Sequence, residues 1–295
     1  MANLPAAEVE VSEQLVRRLL TDQHPDLGGL PLKLQANGWD NAIYRLGDDL
    51  TVRLPRRQQA AGLIVNEQHW LPVFAQWVKV QLPVPVRVGE PTPYYPWSWS
   101  VCPWFRGTLA SEVPRNERTA FAEELADFLI ALHRPAPEHA PANPVRGVPL
   151  ATRRAAVAQR LGSGGLPGAA DLAKLWDELS AAPDWSGPPL WLHGDLHAAN
   201  IVYGEDALSA VIDFGDLTAG DPATDLATAW LTFDAEGRGR FQNRVGRKGV
   251  DADTWKRARA WALSMSTAML AASDDHPGMR VLGEESLEQV LGHNE

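Results

Sequence analysis

Between residues 192 and 216 the chain reads LHGDLHAANIVYGEDALSAVIDFGD. Two short apolar runs, Ile201-Val202-Tyr203 and Ala210-Val211-Ile212, flank Gly-Glu-Asp-Ala, a turn composition. The pattern predicts a β-hairpin, and the hairpin has a geometric consequence. Asp195 and Asn200 lie on the loop entering the first strand, and Asp213 directly follows the second. Pairing the strands brings those ends together, so three oxygen-bearing side chains converge into a clamp for something cationic.

Asn and Asp supply hard oxygen ligands with few protein contacts, as Mg²⁺ prefers when phosphates fill its other positions. Asn200 and Asp213 are therefore candidate magnesium ligands. Asp195 is then free to orient a hydroxyl and accept its proton. The order His-x-Asp-x-x-x-x-Asn followed by Asp-Phe-Gly is that of a kinase catalytic loop and metal loop. The blander alternative makes Asp195 and Asn200 turn-formers and Asp213 a strand end.

The rest of the chain bounds this reading. With 295 residues, 45% hydrophobic and 22% charged, it is globular and large enough for two lobes. No apolar run reaches the roughly 18 residues of a membrane span, and no secretory signal is visible, so no membrane partner is expected. Cys102 is the single cysteine, which fits a reducing, cytoplasmic location. The net charge of −10 argues against nucleic acid as the main partner. The surplus is uneven: residues 181–295 carry 9 Lys and Arg against 18 Asp and Glu. That balance is either a solvated acidic surface or a lobe that attracts a cationic small molecule.

The organisation is β-rich first and helix-rich after. Residues 9–22 have helical apolar spacing, with Ser12 as N-cap. LPLKLQA, NAIYRLG and LTVRLPR then read as a three-stranded antiparallel meander with turns at Asn37-Gly38 and Gly47-Asp48-Asp49. A helix over residues 60–78 and strands in VPVRVGEP and WSWSVCPWF complete this part. Trp97 and Trp99 share one strand face, either as core or as an aromatic wall for a sugar ring. Cys102 reads as buried packing. Residues 116–134 form an amphipathic helix, 135–170 a Pro-, Gly- and Ala-rich connection, and 169–182, 251–272 and 286–292 further helices. No internal repeat is visible.

The motifs HGDLHAAN, IDFGD and GDPATDLA, with GWDNAIYRLG, VRLPRR and YYPWSWSVCPW, resemble the aminoglycoside phosphotransferase family of the protein-kinase-like superfamily. The resemblance is weakest over 135–190 and after about 235. It implies an α+β bilobal fold, with an N-terminal nucleotide-binding lobe of antiparallel sheet (1–103) and a helix-rich catalytic and acceptor-binding lobe (104–295). It implies ATP, with GTP not excluded, and Mg²⁺. Asp195 becomes the catalytic base, Asn200 and Asp213 hold magnesium, His193 braces the loop, and Asp225 accepts hydrogen bonds from it. His197 matches a family histidine and reads here as structural.

On the nucleotide side, Arg53 stands where such enzymes usually carry Lys, and Glu67 is its matching carboxylate. Arginine still binds phosphate well; the alternative is an exposed strand arginine. The turn at Gly38 sits where a phosphate-covering loop belongs, although it is not G-x-G-x-x-G. In VCPWFRG, the Pro103 carbonyl and the Phe105 N–H are placed to bind adenine.

The implied activity is ATP-dependent transfer of a phosphoryl group to a small-molecule hydroxyl, with an aminoglycoside-type antibiotic as the leading acceptor. Macrolide, choline and homoserine are alternatives, as is a nucleotide-binding pseudokinase. Oligomeric state is not legible. A protein kinase is disfavoured, because GDPATDLA follows Asp213 almost at once and leaves little room for a peptide-docking segment.

Overall fold

The computed structural model describes residues 5–292 except 165, 167, 206, 274 and 275. The chain divides into two compact units. One is the segment ending at Arg106 together with Ala210–Gly215, and the other is Gly107–Ser209 with the segment from Asp216 on. The Asp-Phe-Gly segment therefore belongs to the first unit, which a division of the chain at 103/104 does not include.

The first unit holds α1 (Glu13–Gln23), β1 (Leu32–Asn37), β2 (Asn41–Leu46), β3 (Leu50–Pro55), α2 (Gln58–Phe74), β4 (Arg87–Gly89) and β5 (Trp99–Pro103). The strands form one antiparallel sheet in the order β1-β2-β3-β5-β4. Ser12 caps α1 by accepting the Leu15 N–H. Alternation along β3 sorts its side chains. Val52 and Leu54 join Leu19 and Leu20 of α1, with Ala42, Tyr44 and Leu46, in the core, while Arg53 turns to the other face and meets Glu67 of α2. Trp97 and Trp99 are 5% and 0% exposed and belong to this core. The aromatic-wall reading is corrected: Trp99 opens β5 and Trp97 lies in the bend before it, both rings are buried in the same core, and burying ring area outweighs displaying it.

The second unit contains β6 (Thr108–Leu109), α3 (Ala122–Leu132), α4 (Arg154–Gly162), α5 (Ala169–Leu179), β7 (Leu190–Leu192) and β8 (Ile201–Tyr203). The division between units falls inside β9 (Leu208–Val211). Then follow β10 (Thr218–Gly220), α6 (Ala223–Leu226), α7 (Thr228–Thr232), α8 (Ala235–Gly246), α9 (Ala252–Ala271) and α10 (Pro277–Leu291). β7 pairs with β10 and β6 with β8, both antiparallel. The Gly204 N–H donates to Ala207 O at 2.9 Å, closing the turn between β8 and β9; residue 206 of that turn lies outside the described residues.

Several helices depart from the sequence reading: α10 begins nine residues before the expected 286, the expected helix over 116–134 opens as a 3-10 helix at Arg115–Phe121, and two others show the physical reason. α4 lies within the stretch read as connection, because Val157 and Leu161 give only one helical repeat amid Pro and Gly. α8 contains three glycines, yet the Asp234 cap accepts the Gly237 N–H at 2.8 Å and Phe241 and Val245 are buried. Tertiary burial overrides weak local propensity at both. Among the described residues no helix is long and apolar enough to cross a membrane.

Candidate active site

In the second unit, the loop between β7 and β8 is built around Asp225. This carboxylate is fully buried, and it accepts the His193 N–H at Oδ2 and the Gly194 N–H at Oδ1, both at 2.8 Å. His133 Nε2 lies 3.2 Å from Oδ2. Gly194 has φ +88, and a Cβ there would meet Asp216 O at 2.2 Å, so only glycine fits this bend. The bend lets His193 Nδ1 accept the Asp195 N–H at 3.2 Å. Asn200 then ties the loop's far end back, its Nδ2 donating to Asp195 O at 2.9 Å. That bond leaves the amide oxygen as the group Asn200 presents elsewhere.

The loop presents one carboxylate, Asp195. Arg146 Nη2 approaches Oδ1 at 2.6 Å and His197 Nε2 approaches Oδ2 at 3.3 Å. Burial pushes the Asp195 carboxyl up, but Arg146, then His197 and His193, outweigh it and hold the group well below the usual carboxylate range. Asp195 is an anion at neutral pH, oriented from both sides. Arg146 and Asp216, which lie 3.7 Å apart, carry no role in the sequence reading, and His197 reaches Asp195 directly. The signal for Asp216 was its place directly after Asp-Phe-Gly; Arg146 had only a Pro- and Gly-rich loop around it.

In the first unit, Arg53 Nη1 meets Glu67 Oε2 at 2.8 Å, and Nη2 lies 3.5 Å from Asp213 Oδ1. Burial opposes the Arg53 charge, yet Glu67 and Asp213 hold the guanidinium above its ordinary value. Burial pushes the Glu67 carboxyl up against the pull of Arg53. The exposed-arginine alternative is excluded, since Arg53 is 6% exposed. Asp213 has φ +62, the only positive φ at a non-glycine among the described residues. Such backbone costs energy and clusters at functional positions. Phe214 behind it packs on Phe74 of α2, centroids 6.4 Å apart.

Gly38 lies in the β1–β2 hairpin, where its N–H donates to Asn41 O at 2.9 Å and its carbonyl accepts from Arg56 Nη1 at 2.9 Å. Its own N–H therefore closes the hairpin. Pro103 ends β5 opposite Leu50, and Phe105 follows after Trp104, whose N–H is spent on Asp49 O at 2.8 Å.

A single family model spans both constellations: the phosphotransferase enzyme family matches residues 32–261. The chain belongs to the phosphotransferase enzyme family. No curated protein matches it. Solved structures do. The GDP and kanamycin complex of APH(2'')-IIIa is 18% identical, with 95% of this chain and 99% of that chain covered, and a TM-score of 0.69. Macrolide 2'-phosphotransferase MphH from Brachybacterium faecium is 19% identical, covering 96% and 98%, with a TM-score of 0.60. The streptomycin–ATP ternary complex of APH(2'')-IIa is 16% identical, covering 96% and 99%, with a TM-score of 0.56. At these identities the likeness establishes the phosphotransferase fold and leaves the acceptor open.

Proposed function

We propose that this phosphotransferase moves the γ-phosphoryl group of ATP or GTP to a hydroxyl of a small molecule, with aminoglycoside-type antibiotics as the first acceptors to test. The observation that carries the reading is the Asp195 carboxylate, ionised and pinned on a loop that Asp225 braces by two 2.8 Å bonds. In this role Asp195 accepts the hydroxyl's hydrogen bond, directs its lone pair at the phosphorus, and takes the proton as the new P–O bond forms and the bond to the departing diphosphate breaks.

The other assignments follow the family motif. Arg53, fixed by Glu67, holds nucleotide phosphates. The Gly38 turn covers them through backbone, and Pro103 and Phe105 hold the base. Asn200 and Asp213 hold magnesium. Their donor set fits that ion, being an amide oxygen whose nitrogen is already engaged and a carboxylate next to a 3.5 Å arginine contact. When bound, the ion neutralises phosphate charge. Solved relatives with GDP and with ATP support a nucleotide in this role. A nucleotide-dependent enzyme with one buried cysteine suits the cytoplasm.

A macrolide acceptor is the second reading, supported by the macrolide 2'-phosphotransferases of the same fold. One experiment tests both. Purified protein with Mg·ATP or Mg·GTP is offered kanamycin, gentamicin, streptomycin, a macrolide, choline and homoserine, and mass spectrometry seeks a gain of one phosphoryl group. Asp195→Asn serves as control and should lower turnover by roughly two to four orders of magnitude. Wild-type turnover by that variant would end the assignment.

A further inference from the structure

Arg146 stands apart from the family motif, and its surroundings are built. Asn143 Oδ1 accepts the N–H groups of Val145 and Arg146 at 2.9 and 3.1 Å, while its Nδ2 donates to Asp216 Oδ1 at 2.7 Å. On the other side, the Gly147 N–H donates to Thr224 Oγ1 at 3.2 Å and its carbonyl accepts the Asp221 N–H at 3.2 Å. Gly147 has φ +68, and a Cβ there would meet Leu192 Cδ1 at 2.9 Å and Ala219 O at 3.2 Å. The backbone around Arg146 is thus fastened to the β7–β10 pair and to the segment that carries Asp225. The guanidinium is a planar fork with little freedom. One nitrogen holds Asp195 and another faces Asp216.

We propose that Arg146 is a positioning residue for phosphoryl transfer: the Asn143 strap fixes its backbone, Asp216 faces its Nε at 3.7 Å, and its Nη2 fixes the plane of the Asp195 carboxylate toward the acceptor hydroxyl. This rests on the reading of Asp195 given above. A carboxylate held only by His197 at 3.3 Å would rotate about its Cβ–Cγ bond. Misplacing a reacting group by about 1 Å costs on the order of a hundredfold in rate. Arg146 acts through Asp195, so its effect must vanish when Asp195 no longer acts.

The test uses acceptor-free hydrolysis of Mg·ATP by the full chain, with water in place of the hydroxyl. Arg146→Ala and Arg146→Gln should each lower kcat roughly 10- to 100-fold, with KM for ATP within about twofold of wild type. Arg146→Lys should recover part of the loss, since the charge survives without the fork. The double variant Arg146→Gln with Asp195→Asn should be no slower than Asp195→Asn alone. A merely structural role would instead lower the fraction of ATP-binding protein and multiply with the Asp195 loss. Wild-type kcat in Arg146→Gln, or losses that multiply, would overturn the proposal. If Asp195→Asn itself hydrolyses ATP at the wild-type rate, the functional reading fails; a slow Asp195→Asn beside a wild-type Arg146→Gln sinks only the role of Arg146. The Gln variant keeps the buried stem, so it carries the test should Arg146→Ala not fold.

Discussion

Arg53 and Glu67 meet at 2.8 Å with side chains only 8% and 3% exposed. A buried pair of this kind contributes little net stability, but removing one partner strands the other charge, at a cost of about 3–5 kcal/mol. Arg53→Ala should therefore lower the unfolding midpoint and, where protein survives, raise KM for ATP and cut turnover. Arg53→Lys should keep partial activity. Urea unfolding and a coupled ADP assay read both. Wild-type ATP kinetics in Arg53→Ala would show that the phosphate anchor lies elsewhere.

Asp225 offers a second prediction. Its two oxygens satisfy two backbone N–H groups and face His133. Asp225→Ala would leave the His193 and Gly194 donors buried and unpaired, each costing about 1–3 kcal/mol. The variant should lose several °C of melting temperature and most turnover together, because the loop that carries Asp195 would lose its brace. Asp225→Asn, with one acceptor oxygen left, should fall between. A fully active Asp225→Ala would show that the loop holds its shape without these bonds.

The two constellations differ in how far they could be read from sequence. Asp195, Asn200 and Asp213 stand at short, fixed spacings, and Arg53 sits in a strand whose alternation shows which face it takes. Arg146 lies 49 residues before Asp195, in a stretch of Pro, Gly and Ala with no periodicity. Its contact depends on Asn143, Gly147 and Thr224, three residues whose significance exists only once the chain has folded back on β7 and β10. Charge is read at a different scale. The surplus of acid after residue 181 sums a whole stretch of chain, whereas the Asp195 carboxylate itself faces Arg146, whose charge in turn lowers the pKa of Arg153 after the effect of burial. Lobe charge and site charge are separate quantities.

Cys102 yields a third prediction. It is 1% exposed within β5, and burial pushes its thiol up to about 12. Only the thiolate is nucleophilic, so at pH 8 the native protein should resist alkylation by iodoacetamide, and modification should follow unfolding. Raising the pH to 9 should change little, since the thiolate population grows only as pH nears the raised value. Stoichiometric labelling of folded protein at pH 8, read by intact mass, would contradict this burial.

Two glycine substitutions should act in opposite directions. A Cβ on Gly220, at the end of β10, would lie 2.0 Å from Gly147 O and 2.7 Å from Gly147 C. Both are backbone atoms, so no rotamer change can relieve the clash, and the strap holding Arg146 must move. Gly220→Ala should destabilise by roughly 1–3 kcal/mol, as overpacking does. It should also lower kcat while leaving KM for ATP near wild type, because Gly220 lies by the strap. Gly239, in the middle of α8, has nothing within 4 Å of its added Cβ. Gly239→Ala should stabilise by about 0.5–1 kcal/mol through helix propensity and lost chain entropy, with kinetics unchanged. Denaturant titration and ATP hydrolysis on the two variants side by side separate loss of strap geometry from general sensitivity to mutation. A Gly220→Ala enzyme with wild-type kcat would show that the strap tolerates displacement.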